Sequence, residues 1–150
     1  MKGLCFFIAL CLGACAGTGQ ITPEYAPMDL APGTPPCLES EPNGRCTLFE
    51  ASFIQLIARP DLFDGRRVHV RGFANLQFEA NALYLSQEMF THGSSRDAIW
   101  LDVEGMGVTP PFRRGYADVE GTFESTFRGH FGMFSGSIRN ITVFKQAVRR

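Results

Sequence analysis

After residue 65 the chain alternates apolar with polar residues in five segments, as strands with one buried face do. In the first segment Val68 and Val70 alternate with Arg67, His69 and Arg71. Gly, Pro, Asn or Ser bounds each segment, and these residues favour turns. The pattern predicts strands over residues 66–76, 82–87, 98–103, 116–123 and 137–144.

Two of the predicted strands carry a glycine near the middle. Gly72 and Gly121 each complete a Val-x-Gly step. A glycine inside a strand marks a bulge or bend, and a small closed barrel needs bent, coiled strands. We therefore expect a mainly β domain, a small five-stranded OB-like barrel. The usual OB helix lies between strands three and four, where this chain has only residues 104–114.

One short α-helix is expected before the barrel. Apolar residues recur there at helical spacing, at Leu48, Phe49, Phe53, Leu56 and Ile57. Pro60 ends the segment because it removes a backbone donor. Thr47 with Glu50 forms one capping box and Ser52 is a competing N-cap, so two starts about a turn apart stay open.

The N-terminus reads as an export signal. A basic residue, Lys2, precedes an apolar stretch over residues 4–12, which has the length of a signal-peptide core and is too short to span a bilayer. The stretch ends in Leu12-Gly13-Ala14-Cys15, which resembles the lipobox of bacterial lipoproteins. That resemblance implies that residues 1–14 are removed and that Cys15 receives a diacylglycerol and an amide-linked chain such as palmitate. The alternative is an ordinary cleaved signal with Cys15 as a bystander.

Residues 15–46 are expected to form a lipid-anchored tether ahead of a domain over residues 47–146. Five prolines lie between residues 16 and 36, and polyproline geometry of about 3.1 Å per residue would extend that stretch to roughly 65 Å. Ala16 in place of Asp resembles the sorting pattern of outer-membrane lipoproteins. We therefore expect a protein of the bacterial cell envelope that faces the periplasm from the outer membrane.

Two cysteines remain as thiols once the signal has left and Cys15 is lipidated. Cys37 and Cys46 flank a turn-forming run that contains Pro42, Asn43 and Gly44. In an oxidising compartment this spacing predicts a disulfide. The alternative, a metal or redox pair, lacks both a CxxC spacing and a nearby histidine.

The net charge argues against nucleic acid as a partner. The net charge is −1 at pH 7, so the chain has no strong electrostatic footprint for nucleic acid. The 45% hydrophobic share allows a packed core without a cofactor.

The domain is similar to small uncharacterised bacterial proteins with OB-like barrels, over about residues 52–144. The similarity lies in residues 56–60, 64–68, 72–73, 81–85, 98–102 and 119–123, and in the Gly-His-x-Gly and Ser-Gly steps at 129–132 and 135–136. It implies the fold and brings no activity with it.

The candidate binding residues lie mainly in one loop. OB barrels commonly bind ligands on strands two and three, between the loops after strands one and four. Residues 125–134 form the second of those loops and carry Phe127, Arg128, His130 and Phe131, which could stack a sugar, peptide or base. The alternative is that these phenylalanines only fill the barrel end. Trp100 on strand three and His92 in a polar connection complete the candidates.

We find no catalytic or metal-binding motif. The histidines lack metal spacing, and residues 132–136 read GxxSG where hydrolases have GxSxG. The expected function is a non-catalytic binding or adaptor domain, with an envelope protein or a cell-wall polymer as partner and no cofactor. The alternative is a metal-dependent or other small hydrolase, which requires His92 and His130 to converge with Glu79 or Glu88.

Overall fold

The computed structural model describes residues 35–104, 106 and 109–148. The predicted signal peptide, the lipidation site Cys15 and the tether up to residue 34 lie outside the described residues. Seven strands and two short helices are described: β1 (Cys37–Ser40), β2 (Cys46–Glu50), α1 (Phe53–Ala58), β3 (Arg67–Asn75), β4 (Ala82–Tyr84), α2 (Gln87–His92), β5 (Ala98–Leu101), β6 (Arg114–Glu124) and β7 (Ser137–Gln146).

The five strands from β3 onward close into a barrel. Their order around it is β3-β4-β5-β7-β6, and β6 pairs again with β3. All neighbours are antiparallel except β5 and β7, which are parallel. The predicted small five-stranded barrel is confirmed, and its order is consistent with an OB-like fold. No helix is described between β5 and β6, where OB barrels usually carry one.

The alternating pattern places the core inside the barrel. Val68 and Val70 of β3, Ile99 and Leu101 of β5 and Val119 of β6 are fully buried, as their spacing predicts. Removing such side chains from water is the main favourable term in folding. The apolar face of α1 closes one end of this core through the buried residues Phe53 and Leu56.

Both mid-strand glycines allow a neighbouring strand to approach closely. A Cβ at Gly121 would come within 2.7 Å of the Arg139 carbonyl oxygen, and the register irregularity beside it, between Glu120 and Thr122, has its extra residues in β7. Gly72 keeps its register with β6. A Cβ at Gly72 would come within 2.6 Å of the Tyr84 carbonyl oxygen, so only glycine allows β4 to approach this closely.

Helix α1 begins at the later of the two predicted starts. Ser52 is the N-cap: its hydroxyl accepts from the Gln55 amide, and the Gln55 side chain accepts from the Ser52 amide. The capping box of Thr47 with Glu50 is wrong, because Leu48 and Phe49 belong to β2. Strand β2 pairs in parallel with β3, and this long-range pairing overrides the local helical spacing.

The predicted disulfide is confirmed. Cys37 and Cys46 are bonded, with their Cα atoms 5.8 Å apart, and they join the antiparallel strands β1 and β2. The turn between them uses Gly44 in the left-handed region at φ 83°. The hairpin lies beside the barrel because β2 pairs with β3.

A second helix was missed. The strand predicted over residues 82–87 ends at Tyr84, and Ser86 caps α2 by accepting from the Met89 amide. The connection that reads as a polar loop in the sequence is therefore partly helical, and His92 is its last helical residue. Across the described ranges, no helix combines the length and apolar character needed to cross a membrane.

Candidate functional site

The outer side of β4 and β5 is covered by the protein's own side chains. Ala82, Tyr84 and Ala98 of these strands are buried together with Phe73 and Phe134, and Met89, Phe90 and Trp100 pack against them. The covering residues come from α2 and from the loop over residues 125–136. We call this the covered face. It is the surface on which OB barrels commonly bind ligands, and here it forms a second small apolar core.

Trp100 takes part in this packing. Its ring centroid lies 5.2 Å from that of Phe134, which is buried. Gly129 lies directly on the indole, since a Cβ there would be 2.5 Å from the ring. The loop after β6 therefore rests on Trp100.

The other loop candidates lie towards solvent. Phe127 is 43% exposed, and the Arg139 guanidinium lies 4.8 Å above its ring. Arg128 is exposed. Phe131 is 86% exposed, with its backbone in the left-handed region at φ 53°.

The two candidate histidines have different acidic neighbours. His130 Nε2 lies 3.8 Å from a carboxylate oxygen of Glu79, in the turn between β3 and β4. His92 ends α2 near Glu88, whose pKa is lowered mainly by a hydrogen bond from its own backbone amide and less by Ser86 and His92. Among the described residues, no group of three or more His, Cys, Asp or Glu could hold a metal ion. A hydrolase that uses both histidines stays a hypothesis.

Beside the covered face, on the neighbouring strands of the barrel, the described residues leave a groove open. It is a depression of about 590 Å³ between the hairpin, the start of α1 and the outer side of β3 and β6. Its floor carries His69 and Arg71, and its walls include Phe53, Leu85 and Tyr116. We call the outer side of β3 and β6 around His69, Arg71 and Tyr116 the open face.

Arg71 is held in position by Asp118 of the neighbouring strand. Arg71 Nε and one terminal nitrogen donate to the two Asp118 carboxylate oxygens at 2.7 and 3.1 Å. His69 Nε2 lies 3.7 Å from the same carboxylate. The Arg71 hydrogen bonds and charge lower the Asp118 pKa although burial opposes them, and Asp118 raises the Arg71 pKa. The pair stays charged at neutral pH, and the partly exposed guanidinium faces the groove in a fixed orientation.

The groove extends in both directions. A depression of about 650 Å³ shares Arg71 and Tyr116 with it and continues to Val148. On the other side, an apolar depression of about 200 Å³ shares Phe53 and Leu85 with it and continues along α1 to Ile54. The shared residues make one continuous track, with exposed apolar side chains at both ends and charged groups in the middle.

The alternation in the sequence placed His69 and Arg71 on the polar side of a strand but did not select them, or Tyr116, as site residues. A signal was present, because Arg71 and Asp118 lie on the polar faces of two predicted strands that carry opposite charges. The groove itself could not be found in this way, since one of its walls exists only where β2 pairs with β3.

No protein family, curated protein or solved structure matches the chain. Its function must therefore be argued from the geometry of these two faces.

Proposed function

We propose that this chain is a lipid-anchored protein of the bacterial envelope whose barrel is a non-catalytic adaptor that binds an extended segment of another envelope protein. The observation that carries the proposal is the continuous groove on the open face, from Ile54 past Arg71 to Val148. The lipobox resemblance at Cys15 and the proline-rich tether support the location, at the outer membrane facing the periplasm.

The composition of the groove suits a polypeptide. An extended peptide presents side chains to alternate sides and backbone amides between them. Apolar contacts are offered by Phe53, Leu85 and Tyr116, and Arg71 lies between them on the floor. Apolar walls with a few fixed polar groups are the usual composition of a binding site.

The charges in the groove balance, and this favours an uncharged segment. The cations Arg71 and Lys145 lie near the carboxylates of Asp118 and Glu50, and Asp118 already binds Arg71 through both oxygens. A strongly charged partner would gain little from such a surface. Binding energy would come mainly from apolar side chains that enter the ends of the groove.

A cell-wall polymer fits less well. Sugars stack on exposed aromatic faces, and Tyr116 is the aromatic ring of the central depression that stands partly in solvent, at 44% exposure. Its ring also packs edge-on against Phe73 at 5.4 Å. We therefore favour a protein partner.

The test compares two leucines of equal exposure. Leu85 lines the groove at 44% exposure, whereas Leu38 lies on β1 outside it at 46%. The full lipidated chain, carrying Leu85→Asp or Leu38→Asp, is crosslinked in the cells that make it and purified. We expect Leu85→Asp to reduce the captured partner at least about ten-fold and Leu38→Asp to leave it unchanged.

Melting temperatures of both variants check that neither unfolds, since both side chains are on the surface. Three outcomes would contradict the proposal: equal loss with the two variants, no captured protein with the native chain, or capture of glycan fragments in place of protein.

A further inference from the structure

Two phenylalanines stand in solvent at one end of the barrel. Phe78 is 91% exposed and Phe131 is 86% exposed, more than any other large apolar residue that the structure describes. Phe78 lies in the turn between β3 and β4, and Phe131 lies in the loop between β6 and β7. Neither belongs to the groove on the open face or to the covered face.

The two loops meet through the residues next to these rings. His130 Nε2 lies 3.8 Å from a Glu79 carboxylate oxygen. Glu79 follows Phe78 and His130 precedes Phe131, so the contact brings the two phenylalanines to one end of the barrel. We call Phe78 and Phe131 the aromatic tip.

Phe131 is exposed at a cost in stability. Its backbone lies in the left-handed region, at φ 53° and ψ 16°, which is unfavourable for a bulky residue. The ring contacts the neighbouring His130 ring, with centroids 4.0 Å apart, and otherwise gains little burial. Strained backbone of this kind clusters at functional sites.

Cationic side chains flank the tip. Arg128 is exposed in the same loop as Phe131. Arg113 and Arg114 line a depression of about 490 Å³ together with Phe78. The Arg114 guanidinium donates a hydrogen bond to Asn75 Oδ1 and lies over the ring of Phe90. Arg113 and Arg128 form no ion pair with a described carboxylate.

We propose that the aromatic tip enters an anionic lipid surface, with Phe78 and Phe131 at the boundary of headgroups and acyl chains and with Arg113 and Arg128 on headgroup phosphates. Exposed aromatic rings beside unpaired cations are typical of proteins that lie on such interfaces. Two rings on narrow turns offer far less than the roughly 800 Å² per partner of a stable protein interface. Binding to a bilayer needs no such contact area, because single side chains can insert into it.

The inference rests on the membrane anchoring in the proposed function, since a lipid on Cys15 would hold the barrel within reach of the bilayer. The tip would then orient the barrel on the membrane.

The test uses the chain from residue 15 onward with Cys15→Ser, so that no acyl chain is present. Its described residues belong to one compact unit. The probes are vesicles of phosphatidylglycerol with phosphatidylethanolamine and vesicles of phosphatidylcholine alone, separated by flotation. We expect binding to the anionic vesicles that weakens with salt, and a loss of at least about ten-fold with Phe78→Ala and Phe131→Ala together.

Two further variants separate binding from folding. Phe131→Gly removes the left-handed strain, so we expect a higher melting temperature together with weaker vesicle binding. Leu38→Ala removes an exposed apolar side chain from β1, outside both the groove and the tip, and should leave vesicle binding unchanged.

The inference is overturned if the tip variants float like the native chain, if Leu38→Ala lowers binding equally, or if the tip variants lose the captured protein partner and keep vesicle binding. The proposed function has a separate readout, which is partner capture by the lipidated chain and its dependence on Leu85.

Discussion

The covered face and the open face belong to the same barrel, yet the first is filled and the second is a groove. The outward residues of β4 and β5 include Ala82, Tyr84 and Ala98, which leave room for an apolar layer. The outward residues of β3 and β6 include Arg71 and Asp118, which are charged and paired. Because burying charged groups is costly, the connecting segments cover the apolar face and leave the charged one in water.

The contrast identifies where a partner can bind. On the covered face, Trp100 packs against Phe134, whereas the loop candidates Phe127, Arg128 and Phe131 lie towards solvent. On the open face, the hairpin raises a wall beside charged strands and creates a groove. The binding surface of this barrel is therefore expected on β3 and β6, next to the strands on which OB barrels commonly bind ligands.

The largest expected effect comes from opening the covered face. Phe134→Ala removes a buried ring from the small core and should lower the free energy of unfolding by about 3–5 kcal/mol. Urea denaturation measures this change. Phe131→Ala in the same loop is the matched control and should change it by less than about 0.5 kcal/mol, because that ring is in solvent. Equal effects would mean that the loop does not pack as described.

The next largest effect concerns the hairpin, which forms one wall of the groove on the open face. Cys37→Ser with Cys46→Ser removes the disulfide of the hairpin and should cost about 2–3 kcal/mol in the chain-entropy account. Adding a reductant to the native chain should lower its free energy of unfolding by the same amount. Partner capture should also weaken, because β2 and the residues after it line the groove. Full capture by the double variant would show that the hairpin is not needed for binding.

A smaller, pH-dependent effect belongs to the floor of the groove. Hydrogen bonds and charge from Arg71 lower the pKa of Asp118 in the folded protein. The resulting stabilisation is present above the unfolded pKa of about 4 and is lost as pH falls through the lower folded pKa. Asp118→Asn should therefore be less stable than the native chain at neutral pH, with a gap that narrows in acid.

Thermal unfolding across this pH range checks the expected change, and Asp61→Asn serves as the control. Asp61 pairs with Arg59 on the surface, where an ion pair contributes little. A gap for Asp118→Asn that stays constant into acid would argue against the pair.

The smallest effect on the free energy of unfolding is predicted for Ser137, beneath the covered face. The Ser137 hydroxyl is buried without a hydrogen-bond partner among the described residues, in register with Trp100. Ser137→Ala should leave the free energy of unfolding unchanged or raise it by up to about 1 kcal/mol. A loss measured by urea denaturation would point to a hydrogen bond that the structure does not show.

The barrel strands could be predicted from the sequence because their alternation is local. Val68, Val70 and Val119 follow the period of two that a half-buried strand requires, and each is buried. The assignment of Leu48 and Phe49 to a helix failed because the pairing of β2 with β3 joins residues that are distant in sequence. Local spacing carries no information about such a pairing.

The groove could not be predicted from the sequence, for a related reason. Arg71, Leu85 and Tyr116 lie in three different segments and come together only when the barrel closes. The loop candidates Phe127, Arg128 and Phe131 were visible because they are adjacent in sequence. Adjacent residues of one loop can still take different roles, as exposed Phe131 and buried Phe134 do.

The most direct test replaces one aromatic residue on each face with a photo-crosslinking phenylalanine derivative. Tyr116 on the open face is 44% exposed, and Phe127 in the loop over the covered face is 43% exposed, so the two probes are matched in size and exposure. The full chain is irradiated in the cells that make it. We predict an adduct with a partner protein from position 116 and none from position 127. An adduct from position 127 alone would contradict the assignment of the open face as the binding surface.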